Sequence, residues 1–148
     1  MKNEMHYQFD RSLGKVTQQI TRALGQRFVQ KCRGKGLSVN AEQWTILSLL
    51  FHRGAQTQKE IGLTLYMDKV SVTRTITRLE NRGLLIRLVT DSDRRVNQVS
   101  LTDLGRGFYL RLEPLAAETI AEALHNFSEE ESDYIFTLLE RIRSNLIG

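Results

Sequence analysis

The stretch from Asp68 to Arg95 constrains this chain more than any other. A short helical pattern, DKVSVTRTITRLENRG, is followed by an apolar run, the charged string DSDRR and a second alternating run. If Asp68 caps a helix, Val72, Thr75, Ile76 and Leu79 recur at three and four residues and share one face. Val70, Ser71, Thr73, Arg74, Thr77 and Arg78 then face away from it. The first face needs a core to cover it. The second carries hydroxyls and arginines and almost no carboxylate, whereas a solvated helix face usually mixes Glu with Lys. Short donors beside arginine suit base edges and phosphates.

The flanking segments give this helix its setting. Thr57 and Glu60 form a capping box that opens a short helix with Ile61 and Leu65 pointing inward, and only Tyr66 and Met67 separate it from Asp68. Two short helices joined so tightly make a helix-turn-helix, whose second helix lies in the major groove. Gly83 fits the left-handed residue that ends the second helix. Leu84 to Thr90 reads as a strand, Val96 to Leu101 as its return, and Asp91, Ser92, Asp93 and Arg94 as the turn. A hairpin in this place is a wing. Marginal alone, it must lean on the helices through Leu85, Leu88 or their neighbours.

Upstream, Phe9, Leu13, Val16, Ile20, Ala23, Leu24 and Phe28 mark a helix from about Phe9 to Cys32, ended by Gly34 and Gly36. Asn40 with Gln43 opens the next, whose apolar face is Trp44, Leu47, Leu50 and Phe51 and which Gly54 closes. Downstream, Thr102 caps a helix running through Leu104, Phe108, Leu112, Leu115, Ile120, Leu124 and Phe127, with Pro114 as a kink site. Ser128 with Glu131 opens the last, with Ile135, Leu138, Leu139, Ile142 and Leu146 as its stripe. Apolar stripes that reach both ends of a chain are usually covered by a partner, so a homodimer is expected. The segment through Lys35 carries eight basic and two acidic residues while the C-terminal helices are acidic, so these arms also complement each other in charge.

A chain of 148 residues is one domain, 1–148, large enough for its own core. The net charge of +4 permits nucleic acid as a partner without proving it. Its distribution says more: residues 1–68 carry +5, residues 69–95 carry +4 and residues 96–148 carry −5, so positive charge is densest in the middle segment. No apolar run approaches the roughly 20 residues that span a bilayer, and MKNEMHYQFD lacks the order of a secretion signal, which places the protein in the cytoplasm. Cys32 is alone, so its two readings are a structural thiol or a redox sensor. His6, His52 and His125 have no ligand spacing for a metal. There is no glycine-rich phosphate loop and no nucleophile with its base, so neither enzyme activity nor a cofactor is expected.

The strings AEQWTIL, VSVTRTITRLENRGLL and DSDRRVNQVSLTDLG, in this order of elements, resemble the MarR family of bacterial transcription regulators across essentially the whole chain. The resemblance implies a mainly helical winged helix-turn-helix fold with a β-hairpin wing. Residues 38–102 would form the DNA-binding lobe, and residues 1–37 and 103–148 the dimerisation helices. By the same resemblance, Ser71, Thr73, Arg74 and Thr77 take the major-groove positions, and Asp93 holds Arg95 for the minor groove. Lys69, Arg78 and Arg94 suit phosphates. Val70 meets a thymine methyl or only packs locally. The resemblance also implies repression of genes, and release from DNA by a small, often aromatic, anionic effector. Its pocket would lie among the first, second and fifth helices and the recognition helix. The competing readings are a winged-helix protein–protein interaction module and a redox-responsive regulator acting through Cys32. The family's sensing cysteine lies near the start of the first helix, and Cys32 lies near its end.

Overall fold

A computed structural model describes residues 7–90 and 93–147, with the side chains of 90 and 93–97 outside the description. Its elements are α1 (Leu13–Gly34), α2 (Ala41–Arg53), β1 (Gln56–Thr57), α3 (Gln58–Leu65), α4 (Lys69–Asn81), β2 (Leu85–Thr90), β3 (Asp93–Leu101), α5 (Asp103–Ala123) and α6 (Glu129–Ile147). The fold is therefore mainly helical with one small antiparallel sheet, as expected from the sequence.

Caps set most helix starts. Asn40 Oδ1 accepts from Gln43 N–H at 2.8 Å while the Gln43 side chain accepts from Asn40 N–H at 3.1 Å. Thr57 with Glu60 and Ser128 with Glu131 repeat this reciprocal arrangement. Each satisfies two of the amide donors that a helix start leaves without partners. α1 begins at Leu13 with Ser12 as its cap, not near Phe9, because the Ser12 hydroxyl accepts from Lys15 N–H and fixes the start.

α4 is rich in β-branched residues, a composition that disfavours helix by up to about 0.7 kcal/mol per residue. Burial outweighs this. Val72, Ile76 and Leu79 are at most 1% exposed, and each buried aliphatic side chain contributes about 1.5–3 kcal/mol. They join Ile46, Leu47 and Leu50 of α2, Ile61 of α3, Val99 of β3 and Tyr109 and Leu112 of α5 in a single core. Buried Thr75 donates to Glu42 Oε2 at 3.1 Å, so this polar member of the inward face is satisfied.

The sheet has the order β1-β3-β2. β1, which the sequence reading did not anticipate, is two residues long and pairs Gln56 with Val99 and Thr57 with Gln98. The wing therefore rests on a strand that leads directly into α3. Of the two anchors expected for it, Leu85 is buried but Leu88 is 48% exposed. Side chains alternate along a strand, so residues 85 and 88 cannot face the same way; Arg87 shares the Leu85 face instead. β3 begins at Asp93 rather than Val96, which moves Asp93 and Arg94 from the expected turn into a strand, and the ladder shifts register between Val89 and Thr90.

Gly83, with φ 76°, ends α4 in the left-handed region. Leu84 N–H then donates back to Leu79 O at 3.0 Å, and Leu84 O accepts from Thr102 N–H at 3.1 Å. This carbonyl explains the glycine in SLTDLG: a Cβ on Gly105 would lie 2.0 Å from Leu84 O. The end of α4 and the start of α5 are thereby locked together at the base of the sheet.

α5 runs unbroken through Pro114 but ends at Ala123, four residues before Phe127; Asn126, with φ 65°, leads the chain toward α6. α1 and α5 are tied by charge as well as packing, Lys31 pairing with Glu118 and Glu122, and Arg27 with Glu122 at 3.3 Å. The expected complementarity of the basic and acidic arms is thus met within one chain. α6 contains no buried residue.

Candidate nucleic-acid interface

α4 presents the face anticipated from its sequence. Lys69, Val70, Thr73, Arg74, Thr77 and Arg78 are exposed and Ser71 is half-buried, all opposite the core residues. Asp68 caps the helix, its two carboxylate oxygens accepting from the Ser71 amide and hydroxyl at 2.8 Å each. These bonds hold the Asp68 carboxyl below its ordinary pKa. They also occupy the Ser71 proton, so that hydroxyl can only accept from a further partner.

The remaining hydroxyls belong to a network that crosses three elements. Thr73 donates to Lys69 O at 2.9 Å and accepts from Gln58 Nε2 of α3 at 3.1 Å. Gln58 Oε1 accepts from Arg87 Nε of β2 at 3.2 Å. The same guanidinium reaches Thr77 Oγ1 at 2.9 Å and Glu80 Oε1 at 2.7 Å, and the Glu80 carboxylate also accepts from Arg87 N–H at 3.2 Å. The planar fork of arginine suits such three-way bonding, which a lysine could not reproduce.

The charge on this surface is consequently divided. Arg87 is neutralised by Glu80, and Arg82 lies over the Phe108 ring at 5.0 Å, where it packs against α5. Among the described residues Lys69, Arg74 and Arg78 form no ion pair, which leaves them able to meet phosphates or bases. Asp93, Arg94 and Arg95 lie on β3, but their side chains fall outside the described residues, as does the suggested pairing of Asp93 with Arg95.

Gln58, Glu80 and Arg87 had not been singled out from the sequence. A usable signal existed for Arg87: strand alternation puts it on the face of Leu85, beside a helix whose nearest carboxylate is Glu80. Gln58 had none, because its role depends on the crossing of α3 and α4.

A second feature is a cavity of about 530 Å³ between α1, α2 and α5, with Leu24, Phe28, Trp44, His52, Tyr109 and Glu113 among its lining residues. The expected contribution from the recognition helix is missing: α4 supplies none of the lining. Trp44 and Tyr109 are stacked with centroids 5.3 Å apart and planes 5° apart. The Tyr109 hydroxyl donates to Glu113 and lies 2.8 Å from His52 Nε2. Burial and the Glu113 carboxylate raise the Tyr109 pKa to about 12, so the phenol is a neutral donor at ordinary pH. Cys32 is fully buried and its burial pushes the thiol pKa up, which suppresses the thiolate a redox sensor needs.

Comparison with known proteins agrees with this architecture. The MarR family model matches residues 39–96. The chain is 33% identical over 107 residues to the HTH-type transcriptional regulator MhqR of Bacillus subtilis (strain 168), spanning 72% of this chain and 74% of that protein. A probable transcriptional regulator from Pseudomonas aeruginosa has the same fold, with a TM-score of 0.80 at 27% identity over 91% of this chain and 99% of that one. BpsR of Bordetella bronchiseptica, a protein whose DNA binding is regulated by 6-hydroxynicotinic acid, gives a TM-score of 0.82 at 24% identity over 93% and 96% of the two chains. No described helix is long and apolar enough to cross a membrane. Identity sustained over most of a relative's length, together with an α3–α4 pair followed by a β-hairpin as its sequence implied, makes this chain a member of the MarR family of winged helix-turn-helix transcriptional regulators.

Proposed function

We propose that the chain acts as a homodimer that binds a pseudo-palindromic DNA operator and represses transcription until a small molecule releases it. The observation that carries this reading is the outer face of α4, which combines Lys69, Arg74 and Arg78 with oriented hydroxyls, its nearby carboxylates Asp68 and Glu80 being engaged by Ser71 and Arg87. In this reading residues 38–102 form the DNA-binding lobe, and residues 1–37 and 103–148 form the dimerisation region. Ser71, Thr73, Arg74 and Thr77 read bases, Val70 lies against them, and Lys69 and Arg78 hold phosphates. Asp93, Arg94 and Arg95 serve the wing. Such a protein works in the cytoplasm, beside the DNA.

The dimer is supported by apolar residues that are left exposed among the described residues. Leu13 and Ile20 of α1 are 53% and 52% exposed, and Phe136 and Leu146 of α6 are 59% and 78% exposed. Exposed apolar residues recurring along both helices suit an interface.

For the effector, the stacked aromatic wall of the cavity suits a small planar molecule. Glu113 makes that wall an acceptor of hydrogen bonds, so an aromatic ligand with a hydroxyl or amino donor fits it better than a bare anion.

Selection of bound sequences from random duplexes tests the central proposal. It should return two inverted half-sites about 10 base pairs apart, with affinity falling steeply as salt rises. Recovery of no preferred sequence over bulk DNA would overturn it.

A further inference from the structure

We propose that Arg87 and Gln58 are positioning residues for sequence recognition: the bonds they make bias the hydroxyl of Thr77 toward donating and leave that of Thr73 able only to accept. The inference rests on the reading that α4 lies in the major groove. A threonine hydroxyl has one proton and two lone pairs, and a free one can turn to suit either a donor or an acceptor. These two are not free. Thr77 Oγ1 accepts from the Arg87 guanidinium, and among the described residues it takes no other bond. Its proton and its second lone pair are left for whatever lies outside, and accepting from a guanidinium polarises the O–H and strengthens it as a donor. Thr73 has given its proton to Lys69 O and one lone pair to Gln58 Nε2. Only its second lone pair is left.

Base edges differ in the matching groups. A donor at Thr77 favours purine N7, guanine O6 or thymine O4; an acceptor at Thr73 favours the amino groups of adenine or cytosine. Arg87 sits on the wing strand β2 and Gln58 at the start of α3, so the side chains that set the code lie outside the helix that presents it. The guanidinium also joins the two settings, since one fork holds Gln58, Thr77 and Glu80 together. Glu80 cancels its charge, which suits Arg87 to orienting its neighbours rather than to adding bulk affinity for phosphate.

The test repeats sequence selection, with affinities for the selected and a scrambled duplex, on the full chain and on Arg87→Lys, Gln58→Ala, Thr77→Val, Thr77→Ser and the Arg87→Lys/Thr77→Val pair. Arg87→Lys keeps the charge beside Glu80 but gathers its donors on one nitrogen, which cannot span the three partners of the guanidinium fork. Its ratio of selected to scrambled affinity should fall about tenfold, with scrambled affinity unchanged within twofold. Thr77→Val should fall by a similar factor and Thr77→Ser should not. The pair should lose less than the two single losses combined, because Arg87 acts in part through Thr77. Gln58→Ala should relax the preference only at the base pair facing Thr73, and it tests the inference separately if Arg87→Lys folds poorly. A wild-type preference in both Arg87→Lys and Gln58→Ala would overturn the proposal, as would losses that add in full in the pair, which would mean that Arg87 does not act through Thr77. If the parent chain selects no sequence at all, the major-groove reading has failed instead.

Discussion

The outer face of α4 and the outer faces of α1 and α6 are both exposed, but they are exposed in different senses. On α4 the short polar side chains already have partners: Ser71 on Asp68, Thr73 on Gln58 and Lys69, Thr77 on Arg87. The long cations and Val70 are left without such partners among the described residues. That surface is ordered before it meets anything, so little further ordering opposes binding. On α1 and α6 the exposed groups are Leu13, Ile20, Phe136 and Leu146, which water can only cover at a cost. On the proposed reading the first surface is complete in one chain and the second is completed by another copy. A chain that counts two half-sites would need both kinds, one rigid enough to discriminate and one that cannot remain alone.

The most damaging way to probe this contrast is to place charge on the apolar faces. Ile20→Glu combined with Leu139→Glu should convert a dimer of twice 17.1 kDa to a monomer by light scattering. Operator affinity should then drop by at least about 100-fold, because the second half-site is no longer held close by the first contact. If the double variant remains dimeric and binds DNA normally, these faces are not the interface and the comparison collapses.

On the α4 side the corresponding change is Arg74→Ala. It removes an exposed cation opposite the core, so the melting temperature should barely move. Affinity for the selected sequence should fall about 10- to 100-fold, with a relaxed preference at one or two base pairs. An unchanged preference would show that α4 is oriented differently on the groove than its outer face suggests.

The two surfaces were also unequally legible in the sequence. The inner face of α4 was readable because helical periodicity alone places Val72, Thr75, Ile76 and Leu79 together, and capping pairs such as Asn40 with Gln43 act over three residues. The apolar stripes of α1 and α6 were visible for the same reason. Contacts made across elements were not. β1 is too short to leave a pattern, and it exists because Val99 and Gln98 offer it a ladder. The bond from Gln58 to Thr73 depends on how α3 crosses α4. The glycine of SLTDLG was noticed as part of a motif, but its reason, the approach of Leu84 O, appears only once α5 is docked. Arg87 was within reach of strand periodicity, and the expectation that Leu88 would anchor the wing obscured it.

Single phosphate contacts should have smaller effects. Lys69→Ala and Arg78→Ala should each weaken binding a few-fold on selected and scrambled duplexes alike, and each should reduce the slope of log affinity against log salt by about one. A change in sequence preference from either would move that residue from the backbone to the bases.

The smallest expected effect lies between the two surfaces, at Tyr109. Its hydroxyl is held by Glu113 and His52 against stacked Trp44 and Phe51, and its pKa is raised from 10.0 to about 12. The folded state thus retains the phenolic proton more tightly than the unfolded chain does. Its contribution to stability is fully present below about pH 10 and is lost as pH rises toward about 12. The ultraviolet difference between the wild-type chain and Tyr109→Phe isolates that one phenol and should titrate near the higher value. Tyr109→Phe should flatten this part of the stability profile and leave operator affinity within about twofold when no ligand is present, because the aromatic stack is kept while the hydroxyl is lost. A difference titration near pH 10 would mean that the cavity is open enough for water to reach the ring. The space between α1, α2 and α5 would then be a wet cleft rather than the dry aromatic slot that a planar effector requires.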